Sequence, residues 1–180
     1  MPISLQTTPS QCIAIGGCSR SGKTTLANLL ISYNISQQIR LFPLDEYVFP
    51  EKQIPLIRDY VDWEHPLSTN FPKLHHDLSQ FLVNPGALAI IEGLFPFWQP
   101  EIRDLITDAI YLHISRDEFL KRKENDLRWG IVPQWYKEHI FESHLKFGLP
   151  PANLKHTFID ANDFQIISSI PTLLFPNLFA

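Results

Sequence analysis

Apolar positions along the chain fall into short continuous runs, separated by longer stretches in which they return every three or four residues. The runs at 12–15, 40–44, 88–91, 109–114 and 156–159 have strand length, and the third and fourth read as covered on both faces. Helical spacing predicts helices over 23–33, 71–83, 101–107, 117–129 and 134–147, with a further one near 164–170. Ser115 stands where an N-cap belongs, Pro133 where a first-turn proline belongs, and Gly148 followed by Pro150 and Pro151 marks a stop. Strands alternating with helices predict an α/β fold with a mainly parallel five-stranded sheet flanked by helices. No repeat or linker divides the chain, so residues 1–180 read as one domain, with 1–11 as an N-terminal tail and the proline-rich stretch 42–72 as a loop region over one edge of the sheet.

Composition narrows the classes. At 180 residues and 44% apolar content the chain is sized for a single core. A formal net charge of −4 argues against a broad nucleic-acid surface, although a basic cluster lies near Lys121. No apolar run approaches membrane-spanning length and the first residues lack a secretory layout, so we expect a cytoplasmic protein with no membrane or nucleic-acid partner. Cys12 and Cys18 are expected to be free thiols, and no Cys-x-x-Cys pair suggests zinc.

The first strand runs into GGCSRSGKTT, in which Gly17, Cys18, Ser19, Arg20, Ser21, Gly22, Lys23 and Thr24 fit G-x-x-x-x-G-K-[ST], with Thr25 next. Strand before and helix after is the context this motif needs. Its glycines let successive backbone N–H groups turn towards a phosphate, and the helix adds the positive end of its dipole. Lys23 is then placed for the β- and γ-phosphates and the Thr24 hydroxyl for Mg²⁺, so ATP and Mg²⁺ are the expected cofactors. Two carboxylates close neighbouring strands: Asp45 in LFPLDEYVFP and Glu92 in LAIIEG. In an open parallel sheet ligands sit outside those strand ends, so Glu92 is a candidate for holding Mg²⁺ and Asp45 for accepting a proton from an attacking hydroxyl. Lys121, Arg122, Lys123 and Arg128 offer positive charge for the transferred phosphoryl; a solvated basic face balanced by Glu118, Glu124 and Asp126 is the alternative.

With these residues in place the chain resembles the uridine kinase and nicotinamide riboside kinase family of P-loop phosphotransferases, from residue 12 to about 163. The resemblance rests on GGCSRSGKTT, LDEYVFP, DWEHP at 62–66, IIEG at 90–93 and the segment 122–128, which falls where the family has its mobile lid, about 117–132 here. It implies Asp45 as the base on a ribose 5′-hydroxyl, Glu92 as a Mg²⁺ holder, and Arg122 and Arg128 as lid arginines on the phosphates. The family carries an aromatic then an aspartate at DWEHP, stacking on the base and accepting from the ribose diol. Trp63 and Glu64 stand there in this chain, with Asp62 able to share the diol. After Asp45 the family tends to have two aromatics, whereas this chain has Tyr47 then Val48; Phe49 is the other candidate wall.

Uridine and cytidine kinases of this type carry an extra segment before the third main strand, and this chain runs from Phe81 through Asn84 to Leu88 without room for it. Nicotinamide riboside is therefore the expected acceptor; a cationic pyridinium also suits aromatic walls near Glu46 and Asp62. Uridine or cytidine, another small alcohol such as pantothenate, and a nucleotide-gated binding protein without catalysis are the alternatives. His75 and His76 are expected to cover a helix surface, and Trp129, Trp135 and Tyr136 either pack the lid or touch substrate. Residues 160–163, after the last strand, are expected on the adenine side.

Overall fold

The computed structural model describes residues 9–33, 38–126, 130 and 132–163. Five strands form one parallel sheet: β1 (Gln11–Gly17), β2 (Ile39–Pro43), β5 (Leu88–Gly93), β6 (Asp108–His113) and β7 (Thr157–Asp160), in the order β2-β5-β1-β6-β7. A two-strand antiparallel hairpin, β3 (Leu56–Ile57) and β4 (Tyr60–Val61), stands apart from it. The helices are α1 (Lys23–Tyr33), α2 (Phe71–Leu82), α3 (Pro100–Arg103), α4 (Arg116–Glu124) and α5 (Gln134–Ser143), the last continuing into a π-helical turn (His144–Gly148).

Alternation along β1 divides the core. Cys12 and Ala14 point to the face covered by α2 and α3, with Phe42, Leu74, Leu78 and Ile91. Ile13 and Ile15 point to the opposite face, against Leu26, Ala27 and Leu30 of α1. A third cluster, Cys18, Ile114, Phe119, Tyr136, Ile140 and Phe141, packs α4 and α5 under the loop that leaves β1. Both faces of the central strands are thus covered, which is what lets an all-parallel sheet of apolar runs exist in water. Local signals set the helix starts: Asn70 accepts from the Lys73 N–H ahead of α2, and Ser115 accepts from the Glu118 N–H ahead of α4.

The structure departs from the sequence expectations in several places. Gln11 already belongs to β1 rather than to a tail. The helix expected over 101–107 stops at Arg103, because Thr107 is drawn onto the edge of β1, its N–H donating to the Cys12 carbonyl and its hydroxyl accepting from the Cys12 N–H. Leu44 leaves β2 to begin a 3₁₀ turn, Leu44–Glu46. Helix α5 changes to π geometry at His144, where Gly148 lies so close to the imidazole and the Leu94 carbonyl that no Cβ would fit. The helix expected over 117–129 runs instead from Arg116 to Glu124, where Asn125 leaves helical geometry and closes it; residues 127–129 and the helix expected near 164–170 lie outside the described residues. Among the described residues no helix is long and apolar enough to cross a membrane.

Candidate active site

Parallel register gathers the chemistry-bearing residues at one sheet edge. Glu92 on β5 pairs with Ile15 of β1 on one side and Pro43 of β2 on the other, so the loop after β1 and the turn carrying Asp45 emerge on either side of it. In that loop Gly22 has φ +98, a conformation that favours glycine, and Gly17 lies so close to the Leu112 carbonyl and the Ser21 hydroxyl that a Cβ would collide. Arg20 also takes a positive φ, +65. The Lys23 ammonium is buried and closes the loop on itself, donating to the Cys18 carbonyl at 2.8 Å. Ser21 is buried, and its hydroxyl has no partner among the described residues. A phosphate in this cradle would offer Lys23 a charged acceptor in place of a carbonyl and Ser21 an acceptor it otherwise lacks. Burial pushes the Cys18 thiol up to about 12, so the one cysteine of the loop stays a thiol at neutral pH. Cys12 and Cys18 are both free.

Thr24, at the start of α1, donates its hydroxyl to Glu92 Oε1 at 3.1 Å. Glu92 is 7% exposed, and burial raises its carboxyl pKa; the Lys23 ammonium and the Thr24 bond oppose the rise and Asp45 adds to it. Glu92 therefore feels the phosphate-loop lysine and Asp45 together, so residues 23, 45 and 92 share one locale. The hydroxyl and carboxylate are hard oxygen donors, which fits Mg²⁺ held jointly with phosphate oxygens. No group of three His, Cys, Asp or Glu side chains among the described residues is arranged to hold a metal ion alone.

The DWEHP segment follows β4. Trp63 is 41% exposed, an open indole face. Asp62 is 6% exposed; its Oδ1 meets His139 Nε2 at 2.8 Å and accepts the Glu64 N–H at 3.2 Å. Burial pushes the Glu64 carboxyl up to about 7, opposed by the Lys123 ammonium and His139 and reinforced by Asp62 and Asp45. Glu64 and Glu92 both feel Asp45, which links the DWEHP segment to the end of β5. Asp45 itself is exposed, on the 3₁₀ turn.

Two expectations meet a different placement. Tyr47, expected against the acceptor, is 5% exposed in the α2 core, with its hydroxyl donating to Asp77 at 3.1 Å and Lys73 over its ring. An apolar wall under α2 buries that ring more fully than a ligand could. Arg122, expected on phosphates, instead ties α4 to its surroundings: it donates to Glu118 Oε1 at 2.7 Å, to the Arg20 carbonyl at 3.1 Å, to the Ala161 carbonyl at 3.2 Å and to Asn162 Oδ1 at 2.9 Å. It thereby joins the phosphate loop to the turn after β7, the side expected for adenine. Arg128 and Trp129 lie outside the described residues. His75 and His76 lie on α2, and Trp135 packs edge-to-face on Tyr60.

Two further residues stand beside these groups: Lys123, named from the sequence only as one of several candidate cations, and His139, which the sequence did not single out. Lys123 is 7% exposed, 3.5 Å from Asp126, and its charge acts on both the Cys18 thiol and the Glu64 carboxyl. Its positive charge thus reaches both the glycine-rich loop and the DWEHP segment. His139 is the other, 77 positions from its partner Asp62. The spacing of Tyr136, His139 and Ser143 along one helix face is the sequence signal that could have pointed to it.

No protein-family model matches the chain. It is 25% identical over 168 residues to a uridine kinase of Deinococcus deserti, spanning 77% of this chain and 81% of that protein. A uridine kinase of Lactobacillus helveticus is 27% identical over 143 residues, 64% of this chain and 67% of that one. Among solved structures, a possible uridine kinase from Bacillus stearothermophilus superposes with a TM-score of 0.54 over 87% of this chain and 92% of that chain, at 18% identity, a likeness of fold.

Proposed function

We propose that this chain, a P-loop kinase of the uridine kinase-like family, transfers the γ-phosphoryl of ATP to the 5′-hydroxyl of a riboside, with nicotinamide riboside as the preferred acceptor. The observation that carries the reading is the coupling of Glu92 to Thr24, Lys23 and Asp45 at one sheet edge. Asp45 accepts the proton as the hydroxyl O–H bond breaks, the oxygen bonds to phosphorus, and the bridging P–O bond breaks to release ADP. Lys23, the loop N–H groups and the helix dipole neutralise charge on the β- and γ-phosphates. Thr24 and Glu92 would hold Mg²⁺ together with the phosphates, and the ion would supply further charge neutralisation. Lys123, whose charge acts on both Cys18 and Glu64, adds positive charge near the transferred group. Arg122 reaches the phosphates by exchanging the Arg20 and Ala161 carbonyls for stronger anionic acceptors.

On the acceptor side Trp63 stacks on the base, while Glu64 and Asp62 accept from the ribose diol. The acidic surroundings of Asp45, Asp62 and Glu64 favour a cationic pyridinium, and only residues 83–87 join α2 to β5. The relatives named uridine kinase favour uridine as a second acceptor. A screen of nicotinamide riboside, uridine, cytidine and pantothenate for acceptor-dependent ADP formation tests the assignment. We expect nicotinamide riboside to give the highest kcat/KM. Faster turnover of uridine would reassign the acceptor, and nucleotide binding with no acceptor-dependent ADP would favour a regulatory protein.

A further inference from the structure

One face of α5 grips the acceptor segment residue by residue. Tyr136, His139 and Ser143 follow one another at spacings of three and four, so they share a helix face. The Tyr136 hydroxyl donates to the Val61 carbonyl at 3.1 Å, His139 Nε2 meets Asp62 Oδ1 at 2.8 Å, and the Ser143 hydroxyl donates to the Glu64 carbonyl. A carboxylate only accepts, so Nε2 carries the proton in the His139–Asp62 contact. Both hydrogen bonds to the Asp62 side chain fall on Oδ1, one from His139 and one from the Glu64 N–H. Oδ2 has no hydrogen bond to a described residue. The pair is not sealed in the core, since the His139 side chain keeps 19% of its surface and that of Asp62 9%.

We propose that His139 is a positioning residue for acceptor recognition. It fixes the plane of the Asp62 carboxylate so that Oδ2 faces the acceptor diol, and through the Asp62 bond to the Glu64 N–H it holds Glu64 in register beside it. The proposal rests on the riboside reading above. It differs from a merely structural role in what it predicts: loss confined to the acceptor, and within the acceptor to the diol.

The test compares His139→Gln, His139→Asn and His139→Leu in steady-state kinetics with a riboside and its 2′,3′-dideoxy analogue. Glutamine places an amide N–H near the position of Nε2, asparagine falls short of Asp62, and leucine offers no donor. We expect His139→Leu and His139→Asn to raise the riboside KM by about tenfold to a hundredfold, the effect of losing a hydrogen bond to a charged group. We expect kcat and the KM for ATP to stay within about threefold, the dideoxy KM to be unchanged, and His139→Gln to restore much of the loss. An unchanged riboside KM in His139→Leu overturns the proposal, as do equal losses for riboside and dideoxy analogue or a glutamine variant no better than asparagine. If the unmodified protein turns over no riboside, the functional reading fails and takes the proposal with it; turnover of ribosides with any of the preceding failures overturns the His139 assignment alone.

Discussion

Replacing Glu64 with glutamine removes one charge at nearly constant shape, and its effect on stability should depend on pH in a defined way. Burial is the largest cause that pushes the Glu64 carboxyl up to about 7; Lys123 opposes it and Asp62 adds to it. In the unfolded chain the same group titrates near its ordinary value of about 4.3. The folded protein therefore binds this proton more tightly, and the group's contribution to stability is complete below the unfolded value and lost as pH rises through about 7. An interval of that width corresponds to about 4 kcal/mol at pH 8. Glu64 is half-buried rather than sealed, so solvent screening reduces the expected figure to about 1–2 kcal/mol. For a chain of this size that is about 2–8 °C in melting temperature. The assay is thermal unfolding of wild type and Glu64→Gln without nucleotide, from pH 8 to pH 4. The variant should melt higher at pH 8, and the gap should close towards pH 4. The same variant should show a raised riboside KM, since the diol loses a charged acceptor. A variant less stable than wild type at pH 8, or a gap that does not change with pH, would refute the reasoning.

Two further predictions concern other parts of the molecule. His144 is 3% exposed, with Nε2 2.9 Å from the Tyr111 hydroxyl, and burial holds its imidazole down at about 3, aided by Lys23 and His113. Its contribution is present above the ordinary histidine value and lost as pH falls towards 3, so wild type should lose stability through this interval and His144→Asn should flatten that slope in acid unfolding curves; parallel curves would remove His144 as the cause. Thr24→Ala and Glu92→Gln should each raise the Mg²⁺ concentration for half-maximal ADP formation by about tenfold or more, read from a metal titration, and an unchanged requirement would make their 3.1 Å bond purely structural.

The central strands β1, β5 and β6 were legible because each carries an uninterrupted apolar run, and the phosphate loop because its glycines serve one backbone path. What escaped has physical reasons. The β3 and β4 strands are two residues each, too short for any alternation to register. Tyr47 carries the same aromatic character whether it faces a ligand or α2, and only the tertiary fold sends it under Leu74 and Phe71. Arg122 and Lys123 are adjacent basic residues on α4, and the helix directs one to the Arg20 carbonyl and the other inward beside Asp126. The Asp62–His139 pair joins segments 77 residues apart, a distance over which no local pattern operates.

The central claim is that Asp45 takes the acceptor's proton beside a triphosphate held at Lys23, and single-turnover phosphoryl transfer by Asp45→Asn with a riboside at saturating Mg²⁺·ATP tests it most directly. The rate should fall by about a hundredfold to ten-thousandfold while ATP affinity stays within about threefold of wild type. A rate close to that of wild type, with ATP bound equally well, would contradict it.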